Sequence, residues 1–149
     1  MIEAFRVREF FDLLKRLKPI LREEEVVGFG AYYFFLLGAF LTILFFDAEI
    51  ASAAITASLV GDAIAAIIGK LLGGFFISKK LNSKSFEGAI VGGLAATLAV
   101  SLFIREPASL FLAFVTFMFA EIMSRGVYDN LTIPLALGLT LTMLKKLIT

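Results

Sequence analysis

Five apolar runs fill most of the chain, and the stretches between them are short and charged: Val26 to Phe46, Ile50 to Leu72, Phe86 to Ile104, Ser109 to Met123 and Leu131 to Leu144. A helix needs about 20 mostly apolar residues to cross a bilayer core, where every backbone N–H and C=O must be satisfied inside the protein. Blocks of this kind, rather than single apolar faces, predict an all-α polytopic membrane helix bundle with about five transmembrane helices. The 60% share of hydrophobic residues agrees with a membrane protein. No soluble domain, linker or internal repeat interrupts residues 26–149, so one bundle is the simplest arrangement.

Residues 1–25 are too charged for a cleavable signal peptide and are expected to stay on the protein. Ile2, Phe5, Phe10, Leu13, Leu14, Leu17 and Leu21 recur at roughly helical spacing between charges, so Met1 to Lys18 reads as an amphipathic helix. It either lies on the membrane surface or packs on its own bundle. Lysines in a short loop favour the cytoplasmic side. Loop Gly73 to Ser85 carries Lys79, Lys80 and Lys84, whereas the Asp47 to Glu49 turn carries no cation, so the former is expected inside and the latter outside. Lys145 and Lys146 then fall outside, against the rule.

Net charge is +1, which leaves no basic surface for nucleic acid. With no cysteine and no histidine, the chain has no disulfide framework, thiolate nucleophile, imidazole base or usual zinc set. Its chemistry must use carboxylates, Lys, Arg, hydroxyls, amides and a hard cation.

An acid in the middle of an apolar run is therefore informative. Asp62 lies about 15 Å from the Leu72 end of its helix at about 1.5 Å per residue, where an ionised carboxylate is costly unless a cation, a partner or water meets it. It is expected to face a hydrated cleft; the competing account is a buried pair with Lys70 or with a base on another helix. Gly61, Ala65, Gly69 and Gly73 form a smooth stripe beside it, and Gly88, Gly92 and Ala96 form another in the third run. Such stripes let two backbones approach closely. Their contact would bring Asp62 to the same cleft as the "KSFEG" segment, Lys84 to Gly88. Ser85 is a good N-cap there, and a helix N-terminus beside Lys84 suits phosphate. Ordinary capping accounts for the same residues. Glu121 precedes Arg125 by one turn and fits a surface pair, while Asp129 or Asn130 fits a cap on the last helix. Taken with Asp62, Glu121 and Asp129 instead make an oxygen-only set suited to Mg²⁺.

"GDAIAAIIGKLLG" from Gly61 to Gly73, "KSFEG" from Lys84 to Gly88 and "DNLTIPL" from Asp129 to Leu135 resemble, in order and spacing, the membrane family of dolichol kinases, phytol kinases and CTP-dependent diacylglycerol kinases, which is akin to the phosphatidate cytidylyltransferases. The resemblance implies a CTP-dependent kinase that phosphorylates the hydroxyl of a membrane lipid alcohol of polyprenol, phytol or geranylgeraniol type. It implies Asp62, Glu121 and Asp129 as metal and catalytic groups, and Gly61, Gly69, Lys70, Lys84, Ser85, Glu87, Gly88 and Asn130 around the nucleotide. The partners implied are Mg²⁺, a nucleoside triphosphate and a lipid, with the site facing the cytoplasm. Relatives commonly have further upstream helices and histidines, which this sequence does not show, so a homodimer completing the site is one expectation. The alternatives are an enzyme forming a CDP-activated lipid and a non-catalytic membrane scaffold.

Overall fold

A computed structural model describes residues 31–72, 76–78, 82–124 and 128–148. Within them run α1 (Ala31–Phe45), α2 (Ala48–Leu72), β1 (Phe76–Ser78), β2 (Asn82–Ser85), α3 (Phe86–Ser101), α4 (Pro107–Met123) and α5 (Asp129–Ile148). The described fold is thus helical apart from one small hairpin. The expected helix over Met1 to Lys18 lies outside the described residues, as do Lys79, Lys80 and Arg125.

Each boundary has a local cause. The Asp47 carbonyl accepts from the Ala51 N–H at 2.8 Å, so α2 begins directly after the acidic turn that stops α1. Ser85 caps α3, its hydroxyl accepting from the Gly88 N–H at 3.0 Å. Glu106 caps α4 through the Ser109 N–H at 3.0 Å, and Pro107, which lacks an N–H, occupies the first turn where none is needed.

The seam between α2 and α3 is built from small residues. A Cβ placed on Gly92 would lie 2.7 Å from Ala65 Cβ and 2.7 Å from the Gly61 carbonyl, and one on Gly88 would lie 2.7 Å from the Ala65 carbonyl. The described parts of the two stripes, Gly61 to Gly69 and Gly88 to Ala96, therefore face each other, with only the methyls of Ala65 and Ala96 between them. Phe117 of α4 plugs the seam from outside, fully buried and packed on Gly61. Dense contact of this kind, rather than exclusion of water, holds helices together where the surroundings are already apolar. α1 lies mainly against α5, and α2 touches all four other helices.

Large apolar side chains point outward on every helix, among them Phe40, Leu59, Leu98, Phe111 and Met143. Two helices, α2 with 25 residues and α5 with 20, are long and apolar enough to cross a membrane. Helices α1, α3 and α4 are apolar but shorter, at 15, 16 and 17 residues.

The stretch between α2 and α3, read from sequence as a basic loop, contains an antiparallel pair, with Phe76 opposite Ser85 and Ser78 opposite Asn82. Its residues do not alternate between apolar and polar, so no strand was legible there. The hairpin matters because β2 delivers Lys84 and Ser85 against the end of the α2–α3 seam.

Candidate metal and phosphate site

Three helices contribute one carboxylate each. Asp62 comes from the middle of α2, Glu121 from the last turn of α4 and Asp129 from the first residue of α5; one oxygen from each lies within 4.8 Å of the others. Asp129 is 1% exposed and Glu121 4%, while Asp62 is half-buried. The α2–α3 seam positions Asp62, and the short α4–α5 connection positions the other two. That connection is strapped by a hydroxyl pair, Ser124 Oγ to Thr132 Oγ1 at 2.7 Å.

Lys84 enters this cluster from β2. Its Nζ lies 2.9 Å from Glu121 Oε2 and 2.8 Å from Asp129 Oδ2. The contacts are short, and the two carboxylates hold the ammonium chiefly by charge. Burial works against the charged form of Lys84, yet Glu121 and Asp129 outweigh it and raise the lysine above its ordinary value. The other Asp129 oxygen, Oδ1, accepts from Asn130, from the backbone N–H at 2.8 Å and from Nδ2 at 3.0 Å.

The donor set fits a hard cation. All three groups offer oxygen, and the ligands of an octahedral Mg²⁺ lie about 2.9 Å apart when adjacent and about 4.2 Å apart when opposite. At a mutual spacing up to 4.8 Å, the three carboxylates would close in on a bound ion or reach it partly through water. The Lys84 ammonium already stands where a positive charge between Glu121 and Asp129 is favourable. Zinc is a poor match without nitrogen or sulfur donors.

The remaining residues picked out by the sequence fall into two groups. Asn130 donates to Asp129 inside the cluster, while Ser85 follows Lys84 directly and caps α3 at Gly88, which itself packs in the seam, where a Cβ on it would lie 2.7 Å from the Ala65 carbonyl. Gly61 is sealed in the seam beneath Phe117, and a Cβ on Gly69 would meet Ser85 Oγ at 3.0 Å, so both serve close packing in this structure. Lys70 is exposed and Glu87 half-buried. Two features had escaped the sequence reading: the bridging position of Lys84 and the Ser124–Thr132 strap. The only available signal for the strap was the placement of Thr132 one helical turn after Asp129, with Ser124 just after α4. No protein-family model, curated protein or solved structure matches the chain, so the site is read from its own residues and geometry.

Proposed function

We propose that the protein is an integral membrane phosphotransferase which, with Mg²⁺, moves the terminal phosphoryl group of a nucleoside triphosphate, CTP foremost, to the hydroxyl of a membrane lipid alcohol of polyprenol, phytol or geranylgeraniol type. All five helices would span or nearly span the bilayer, with the cluster near the cytoplasmic face. The observation that carries this reading is the convergence of Asp62, Glu121 and Asp129 within 4.8 Å, in a chain without a thiol or an imidazole. Phosphoryl transfer asks little covalent chemistry of a protein; it asks for positioning and for positive charge against the phosphate oxygens. Those are the functions this set of residues can supply.

Asp62, Glu121 and Asp129 would hold the metal, which when bound neutralises the phosphate oxygens. Lys84, together with the first turn of α3 behind Ser85, offers further positive potential to the phosphates. Asp62, the least buried of the three acids, would give one carboxylate oxygen to the metal and leave the other to accept the proton of the incoming lipid hydroxyl. Outward apolar faces on every helix suit an acceptor that arrives from within the bilayer.

One observation favours a different reading. Lys84 already compensates Glu121 and Asp129, as an ion cluster made only for assembly would. Purified protein in lipid nanodiscs, given Mg²⁺, CTP labelled at the alpha or the gamma phosphorus, and a panel of isoprenoid alcohols and diacylglycerol, separates the possibilities. Gamma label in the lipid supports the kinase. Pyrophosphate release indicates a cytidylyltransferase, and no transfer, with Asp62→Asn altering stability alone, indicates a scaffold.

A further inference from the structure

We infer that Lys84 is a tethered counter-cation which shares one place with the divalent ion: its ammonium sits between Glu121 and Asp129 until the ion arrives, and then turns to the phosphates. This rests on the metal-dependent reading of the site and adds how the site is regulated.

Four observations carry it. First, the Lys84 Nζ is 2.9 Å from Glu121 Oε2 and 2.8 Å from Asp129 Oδ2, so a dication bound by the same two oxygens overlaps the ammonium or lies in contact with it. Like charges do not share such a space. Second, Lys84 Nζ itself is buried but the side chain as a whole is 14% exposed, so its stem reaches the surface and can swing the ammonium without unpacking the seam. Third, Asp129 does not need Lys84 to keep its place, because Asn130 donates twice to Oδ1. Fourth, Lys84 immediately precedes Ser85, the N-cap of α3, so its flexible stem is anchored beside the helix start that favours anions.

The consequence is a coupling. Without a divalent ion the ammonium is spent on carboxylates and the phosphate seat lacks its cation. With the ion bound, the same ammonium is released to the phosphates. Cation and nucleotide then assist each other beyond their own association in solution.

The test uses the full chain in lipid nanodiscs, with no nucleotide and no lipid acceptor, and Mn²⁺ as the probe. Titration followed by the electron paramagnetic resonance of free Mn²⁺ gives affinity, and thermal unfolding with and without Mn²⁺ gives a second readout. Lys84→Met removes the competitor and should tighten Mn²⁺ binding by about tenfold, within the usual range of coupling between sites. It should also enlarge the Mn²⁺-induced rise in Tm relative to the unsubstituted chain. Lys84→Arg puts a planar fork on the same carboxylates and should weaken Mn²⁺ binding several-fold. If Lys84→Met does not fold, Lys84→Arg alone decides: affinity equal to or tighter than that of the unsubstituted chain overturns the inference. Unchanged or weaker binding in a folded Lys84→Met protein overturns it too, as does absence of Mn²⁺ binding in every variant. A failed lipid-kinase assay beside the expected Mn²⁺ shifts would sink the substrate assignment and leave this inference standing. Active kinase with Mn²⁺ affinity indifferent to Lys84 would do the reverse.

Discussion

Two lysines in this chain each sit between two carboxylates, at opposite ends of the same helix bundle. Lys84 lies between Glu121 and Asp129 at 2.9 and 2.8 Å, with side chains 14%, 6% and 2% exposed. Lys145 lies between Asp47 and Glu49 at 3.6 and 3.3 Å, with side chains 49%, 72% and 54% exposed. The charge pattern is the same and the surroundings are not. In the outer trio each group keeps water, so the ion pairs replace little that was lost and salt can screen them. The inner trio has given up most of its water, and removing its lysine leaves two buried carboxylates uncompensated.

The largest expected effect breaks the inner trio. Asp129→Asn takes one of the two carboxylates from the Lys84 ammonium and should destabilise the fold by about 2–3 kcal/mol, the upper range for losing one charged, buried contact. Denaturant unfolding in mixed micelles measures it, and the loss should persist at high salt. Under the proposed function, activity should fall by orders of magnitude in the same variant, even at temperatures where it is fully folded. A loss of less than about 1 kcal/mol would mean that water reaches the trio freely, and the contrast with Lys145 would vanish.

A second prediction concerns the spacing that keeps the inner trio together. Any Cβ at Gly92 meets Ala65 and the Gly61 carbonyl at 2.7 Å, one turn from Asp62. Gly92→Ala should therefore push α2 from α3 and cost about 1–3 kcal/mol, as overpacking usually does. It should also weaken Mn²⁺ binding by moving Asp62 relative to Glu121 and Asp129, whereas Lys145 and its partners should be untouched. An unchanged Mn²⁺ titration would show that the seam does not set the geometry of the cluster.

These contrasts also mark what was legible in the sequence. Helix positions were, because apolar runs and their charged stops reflect the length of a helix that needs no water. The α2–α3 contact was legible because glycine at every fourth residue has few uses other than close approach. The meeting of Asp62 with Glu121 and Asp129 was suggested by cost alone: a carboxylate among apolar residues needs company. Lys84 was different. Its position between two acids depends on where β2 leads the chain and on the angle between α4 and α5, neither of which leaves a periodic trace in the sequence. The pairing of Lys145 with Glu49 left no trace for the same reason, since the two are adjacent only after α2 and α5 have packed.

A smaller effect is expected at the exposed cap of α4. The Ser109 hydroxyl donates to Glu106 at 2.6 Å, and this bond, with those from the Ser109 and Ala108 backbone, lowers the Glu106 carboxyl below its ordinary 4.5 despite slight desolvation. A depressed carboxyl adds stability above its unfolded value and loses it as pH falls through the folded one. The Tm difference between the unsubstituted chain and Glu106→Gln should therefore be present near neutral pH and shrink as pH falls below the ordinary 4.5 and through the lowered folded value. A difference that stays constant with pH would assign the cap to shape rather than charge.

Lys145→Ala should show the smallest effect, and it carries the other half of the comparison. Its partners are 3.3 and 3.6 Å away and more than half exposed, so the lysine gains little attraction and loses side-chain freedom in making it. The expected cost is about 0–1 kcal/mol, shrinking further once salt shortens the Debye length to roughly 3 Å at 1 M. Unfolding at low and high salt, run beside Asp129→Asn, checks both numbers under one protocol. If Lys145→Ala costs as much as Asp129→Asn, burial does not separate the two trios, and the inner one loses its special standing as a place where a cation is required.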